Sequence, residues 1–217
     1  SSLVQWCYGV DSQVVVDITR LARVPLVNHA IAWLRENPPP GAVRVPRETV
    51  EDPIERSLLR HYGISYLAPA DARRTTLAAG SVDLICTTSV LEHVPAEALA
   101  GILRECHRIT SAGAVMSHVV DYTDHYAHSD PAIGIFNFLR YSDREWTRYN
   151  PGIHYQNRLR HFEYGALFEA NGFAPLNETV LREEPAALQG LPLSERFRDM
   201  TPEQLLPRTG HWVLRRR

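Results

Sequence analysis

Two hydrophobic patterns take turns along the chain. Short apolar runs without polar alternation occur at Gln13–Ile18 (QVVVDI), Ile64–Leu67, Val82–Thr88 (VDLICTT) and Ala114–Val120. Runs of this kind suit parallel strands covered on both faces. Between them lie stretches with helical spacing. Ser2–Tyr8 reads as the end of a helix stopped at Gly9, and Val27–Arg35 as a helix ended by the NPPP of Asn37–Pro40. Pro53–Tyr62 is helical up to Gly63, and Pro95 opens a helix whose apolar positions are Leu99, Ile102, Leu103 and Cys106. Glu163–Asn171 is a helix stopped by Gly172. Alternation of this sort predicts right-handed βαβ units, hence an α/β, Rossmann-like fold with a mostly parallel sheet and helices on both faces. The ending differs. Phe173–Leu181 and His211–Arg215 are both strand-like, and the polar, partly helical Pro185–Leu206 between them offers no full crossover helix. These two strands are therefore expected to pair antiparallel at the sheet edge.

Two segments lack clean periodicity. Glu36–Pro53 holds five prolines and is expected to be an exposed insertion or mobile flap. Asp121–Leu159 is rich in aromatics, His and Asn, and residues 121–162 read as an insertion that shapes a substrate site. At 217 residues the chain fits one domain. Net charge is −2, so no global basic field exists to draw in nucleic acid or an anionic membrane. All 23 cationic residues are Arg, which excludes lysine nucleophiles and Schiff bases and points to a high-GC bacterium. The three cysteines lack CxxC spacing, so neither a disulfide framework nor a structural zinc is expected, and a reducing cytoplasm suits them. No apolar run is long enough for a membrane span, and no signal peptide is visible at the N-terminus.

In an open α/β sheet, ligands gather at the carboxyl ends of the strands. Asp17 ends the first run; its carboxylate suits the paired hydroxyls of a ribose, or equally a helix N-cap. Asp71 and Ala72 follow the second run, where the carboxylate suits an adenine amine or an Asx-turn. His118, Asp121, Tyr122, Asp124, His125, Tyr126 and His128 cluster around the end of a later strand, with Asn157, Arg158, Arg160 and His161 downstream. A histidine there could act as a base near neutrality, or be a surface or core residue like others of the ten. His125 and His128 have H-x-x-H spacing but no clear third ligand, so no metal is expected.

The stretch Gly80-Ser81-Val82-Asp83 through Val90-Leu91-Glu92-His93-Val94 resembles the core signature of class I S-adenosylmethionine-dependent methyltransferases, especially those acting on small molecules. "L-R-E-C-H-R-I-T-S-A-G" is similar to the element leading into that family's fifth strand, with Ala114 replacing a glycine, which negative φ would allow. "F-E-Y-G-A-L-F-E-A-N-G-F" resembles the helix and Gly-Phe stop before its sixth. The resemblance covers about Gly9 to Val180, and it implies S-adenosyl-L-methionine as cofactor and a small-molecule acceptor methylated on oxygen or nitrogen, such as a sugar or secondary-metabolite intermediate. It assigns Asp17 and Ile18 to the ribose, Asp71 and Ala72 to the adenine, Thr87 and Thr88 to the methionine end, and His93 to the methyl-transfer face; with His93, the histidines His125 and His161 of the later segments are the candidates for catalysis. No nucleic acid or membrane partner is implied, and a homodimer is compatible with it. Asp83 reads as structural.

The chain also departs from that family. A first strand and an E-x-G-x-G turn are expected about 20 residues before Asp17, where this sequence has sixteen residues and no such turn. The family places that strand between the ones ending at Asp17 and Thr88. The expectation is that upstream residues or a partner chain fill the place, or that the flanking strands pair directly and close the cofactor cleft. A methyltransferase-like scaffold without turnover is the alternative function. A nicotinamide-dependent oxidoreductase is disfavoured by the lack of any G-x-G-x-x-G.

Overall fold

The computed structural model describes residues 2–217, which form two compact units, residues 2–75 and 76–217. The first unit runs α1 (Ser2–Cys7), β1 (Gln13–Val16), α2 (Val24–Glu36), α3 (Ile54–Tyr62) and β2 (Ile64–Leu67). β1 and β2 pair in parallel from Gln13 opposite Ile64 to Val16 opposite Leu67. Ile31 and Leu34 of α2, Ile54, Leu58 and Tyr62 of α3 and Ile64 of β2 form its core with Leu3. Each such side chain contributes about 1.5–3 kcal/mol by leaving water, which is what holds so short a two-stranded sheet.

The proline-rich segment between α2 and α3 is irregular, as expected, but it is not free. Val50 is buried in the core, and its backbone exchanges hydrogen bonds with the Asn28 side chain at 2.9 and 2.7 Å. Arg44 lies over the Trp6 ring and donates to the carbonyls of Trp6 and Val10 and to Asp11. Prolines remove backbone donors here, and side chains supply the missing anchors.

The second unit carries β3 (Val82–Thr88), α4 (Ala96–Ile109), β4 (Thr110–Asp121), α5 (Asp143–Tyr149), α6 (His161–Ala170), β5 (Phe173–Arg182), α7 (Pro202–Leu205) and β6 (Pro207–Arg216). Its sheet order is β3-β4-β6-β5. β3 and β4 are parallel, whereas β6 runs antiparallel to both β4 and β5, the ending expected from the sequence. Gly113 adopts φ 84 in β4, while Ala114 keeps negative φ and is buried. Leu99, Leu103 and Cys106 of α4 and Tyr164 and Phe168 of α6 pack with Met116, Trp212 and Leu214 of the sheet. A second cluster, Phe136, Phe138, Leu139, Trp146, Phe197 and Leu205, gives the aperiodic block a core of its own.

β1 and β3 each stand at an edge of their own sheet. Among the described residues each has one strand neighbour, β2 and β4 respectively. Burial on both faces is therefore incomplete in both strands: Val14 is 40% and Leu84 47% exposed.

Candidate functional site

In the first unit, β1 delivers Asp17 to a half-buried position at its carboxyl end. The Tyr66 hydroxyl donates to Asp17 Oδ2 at 3.2 Å, and that same hydroxyl accepts from the amides of Leu21 and Ala22. Oδ1 has only a long contact of 3.5 Å from the Thr19 amide. A strand-end carboxylate with acceptor capacity to spare fits the paired hydroxyls of a ribose. Ile18 beside it is 75% exposed, an apolar surface open to a ligand. The Asp17 carbonyl accepts from the Ala70 amide at 2.9 Å, which brings the Asp71–Ala72 loop alongside. Asp71 itself is engaged differently. Arg73 contacts both of its oxygens from the guanidinium and donates from its backbone amide, holding the carboxyl down at about 2. That is an Asx-turn closed by an ion pair, so Asp71 offers a ligand less than Asp17 does.

In the second unit, Thr87 and Thr88 stand at the end of β3. The Thr87 hydroxyl is hydrogen-bonded to Nδ1 of the buried His118 at 2.8 Å, while Thr88 is exposed. Ser89 follows with φ 50, the only non-glycine residue with positive φ among those described. That strained turn redirects the chain into a short 3-10 turn at Leu91–His93. Asn157 clamps the turn: its amide donates to the Glu92 carbonyl at 2.7 Å, and its side chain to the carbonyls of Leu91 and Val94 at 2.8 Å each.

The turn points Glu92 inward, where it is 1% exposed. The Asp121 amide donates to Glu92 Oε1 at 3.3 Å, while Oε2 has no partner. Burial pushes this carboxyl up to about 7. His93 points outward, and its Nδ1 lies 2.8 Å from the Tyr155 carbonyl. A carbonyl only accepts, so Nδ1 carries the proton and Nε2 of the neutral ring presents a lone pair. Its ring meets that of His125 edge-on at 4.9 Å, and His125 stacks on His128 at the same separation.

His125 Nε2 is buried without a hydrogen-bond partner and lies 3.6 Å from Asp121 Oδ2. That carboxylate raises the imidazole's pKa against the opposing effect of burial. Burial alone would raise Asp121, but His125 and two bonds from Thr123, at 2.8 and 2.6 Å, outweigh it and keep the carboxyl low. His128 Nε2 sits 3.8 Å from the same Asp121 oxygen. The fold thus joins the post-β3 turn to the post-β4 loop and sets His93 beside His125. One donor atom each from Glu92, His93 and His125 falls within 4.8 Å of the others.

His161 goes elsewhere. It is buried, stacked on Trp212 at 4.3 Å, with Nε2 against Glu178 and Nδ1 against the Tyr122 hydroxyl. Arg160 is fully buried and donates to the carbonyls of Tyr122, Leu205 and Pro207, and Arg158 to that of Phe138. These arginines brace the aperiodic block. Glu92 is the site residue that sequence reasoning passed over, although it stands inside the Leu91-Glu92-His93 motif; its inward aim depends on the clamp from Asn157, 65 positions away.

Comparison with known proteins bears on the fold and on the central segment of the chain. The model of a methyltransferase domain family matches residues 42–117, which include β2, β3, α4 and the first half of β4. No curated protein matches the sequence. A solved S-adenosylmethionine-dependent methyltransferase from Methanosarcina mazei is 12% identical with a TM-score of 0.50, covering 95% of this chain and 82% of that one. Another from Mesorhizobium loti is 15% identical with a TM-score of 0.48, covering 97% and 93%. A putative methyltransferase from Bacillus halodurans is 13% identical with a TM-score of 0.47, covering 98% and 94%. The M. mazei likeness speaks for the fold, and the family match for a methyltransferase domain over residues 42–117. Residues 42–117 are thus similar to a methyltransferase domain, set in a chain whose fold is that of S-adenosylmethionine-dependent methyltransferases.

Proposed function

We propose that this methyltransferase alkylates an oxygen or nitrogen of a small metabolite, a sugar or secondary-metabolite intermediate. The observation that carries this reading is the His93–His125 pair backed by Asp121 and Glu92. Bound S-adenosylmethionine would supply an electrophilic methyl group, its sulfonium sulfur keeping the bonding pair on displacement. An O–H or N–H acceptor must also lose a proton, and His125, whose Nε2 has no hydrogen-bond partner, is the base we assign to take it. Asp121 stabilises the resulting imidazolium, and His93 and Tyr155 hold the outer wall. Asp17 and Ile18 are proposed for the ribose, Ala72 and the weaker candidate Asp71 for the adenine, and Thr87 and Thr88 for the methionine end. His161, with both ring nitrogens occupied, contributes by fixing Tyr122 next to Asp121. A reducing bacterial cytoplasm is part of the same proposal, supported by the Lys-free composition and the cysteine spacing. No helix among the described residues is long and apolar enough to cross a membrane.

The test is methyl transfer from isotopically labelled S-adenosylmethionine to a panel of hydroxylated and amine-bearing small metabolites. A labelled product that needs His125 supports the reading. Label transferred only to carbon or sulfur acceptors, or equally well by His125→Ala, overturns it.

A further inference from the structure

We propose that Glu92, His93 and His125 form a binding site for a divalent transition-metal ion. Their donor atoms converge within 4.8 Å, and two imidazoles with one carboxylate is a donor set that suits zinc and its first-row neighbours. Three protein ligands leave at least one coordination position open to a small molecule. The arrangement carries two marks of such a site. Glu92 Oε2 and His125 Nε2 are both buried without any hydrogen-bond partner, an unfavourable state that coordination would relieve. The outer ligand is already held: His93 Nδ1 donates to the Tyr155 carbonyl, which leaves Nε2 as the ring's ligand atom.

Supports extend around these three residues. The Asp121 amide holds Glu92 Oε1, and Asn157 fixes the backbone of the 3-10 turn that carries Glu92 and His93. Asp121 Oδ2, 3.6 Å from His125 Nε2, is a further oxygen at the edge of the site. Donors around a tetrahedral zinc lie about 3.4 Å apart, given bonds of about 2.1 Å. The exposed His93 and half-buried His125 have to close their donor separations from at most 4.8 Å to that spacing, a shift that side-chain rotation can supply. The sequence hid the site because the H-x-x-H pair of His125 and His128 has no third partner nearby in the chain. The other two ligands, Glu92 and His93, arrive from the turn after β3.

The consequence for the acceptor rests on the methyl-transfer reading; the site itself does not. With an ion in place, His125 is a ligand. An acceptor hydroxyl bound at the open position would then lose its proton to solvent rather than to the imidazole.

The experiment needs neither cofactor nor acceptor. Chelator-treated protein is titrated with Zn2+ by calorimetry and with Co2+ by visible absorption. One ion per chain is expected, with the d–d bands of a low-coordinate N/O cobalt site. His93→Ala and Glu92→Gln should each weaken binding by at least about 100-fold, while His29→Ala on α2 leaves it unchanged. Should Glu92→Gln fail to fold, His93→Ala, an exposed position, decides the matter. Absence of binding by the parent protein overturns the proposal, as does binding unaltered in His93→Ala. Titration of the same sample with S-adenosylhomocysteine reports separately on the methyltransferase reading.

Discussion

His161 Nε2 lies 2.7 Å from Glu178 Oε1, which fixes the direction of every hydrogen bond behind it. A carboxylate accepts, so Nε2 carries the proton and Nδ1 must accept from the Tyr122 hydroxyl at 2.9 Å. The Tyr122 oxygen in turn accepts from Trp212 Nε1 at 3.2 Å. A single donor chain therefore runs from Trp212 on β6 through Tyr122 and His161 to Glu178 on β5, just behind the loop that carries His125.

Cutting that chain in the middle should be costly. Tyr122→Phe leaves Trp212 Nε1 without an acceptor and His161 Nδ1 without a donor, both buried. A loss of about 1–3 kcal/mol is expected, the range for stranding a buried polar group. Denaturant unfolding measures it, and a midpoint unchanged from the parent would show that the chain is not under stress when broken.

The same pair explains a glycine. A Cβ on Gly210 would lie 2.6 Å from the Tyr122 hydroxyl and 2.7 Å from His161 Nδ1. β6 must be bare there for the two rings to meet over it. Gly210→Ala is expected to destabilise by about 1–3 kcal/mol through overpacking, and to do so less in a Tyr122→Phe background, where the clashing oxygen is gone. Equal losses in the two backgrounds, measured by the same unfolding transitions, would place the strain elsewhere.

Much of the fold was legible because the apolar runs carry it. Ile64–Leu67 and Val82–Thr88 are strands with the bounds their sequences suggest, and the Pro185–Leu206 linker leads to the antiparallel ending. Other bounds slipped where tertiary pairing prevails over pattern. β4 extends back to Thr110 through Gly113 because β3 offers a partner, and β6 starts at Pro207 because β5 does. The helix Asp143–Tyr149 has no apolar stripe to announce it; a capping box between Ser142 and Glu145 starts it, and Trp146 alone anchors it. For the site, the strand-end positions were legible from topology. The meeting of Glu92 with His125 was not, since it rests on long-range clamps by Asn157 and the Asp121 amide.

His118 sets a pH dependence on stability. Burial lowers its pKa from 6.5 to about 4, with His211 a further contributor. Thr87 on β3 and the ring of Phe168, stacked at 5.6 Å, are its other neighbours. Because the folded ring resists protonation, the unfolded chain binds the extra proton between these two values. Stability is therefore full above pH 6.5 and falls as the pH drops toward 4, by up to about 3 kcal/mol at 1.36 kcal/mol per unit. His118→Asn removes the titration, so its unfolding free energy should decline less over that interval than the parent's. Parallel declines for the two proteins would remove His118 as the source.

The two carboxylates assigned to the nucleoside should behave differently when removed. Asp17 has one oxygen on Tyr66 and the other with only a 3.5 Å contact, so it can accept from ribose hydroxyls without giving up a partner. Asp71 is already saturated by Arg73, and a ligand amine would have to displace an ion pair that holds the carboxyl at about 2. Asp17→Ala is therefore expected to weaken S-adenosylhomocysteine binding by about 1.5–3 kcal/mol, the worth of hydrogen bonds to a charged group. Asp71→Ala should cost less, because what it removes is chiefly a bond within its own loop. Calorimetric titration of both variants, each checked for an intact melting transition, compares the two directly. A dissociation constant unchanged by Asp17→Ala would take the strand end out of the site. A larger loss from Asp71→Ala would mean that the nucleoside breaks the Asp71–Arg73 pair on binding, with Arg73 then free to turn toward the ligand.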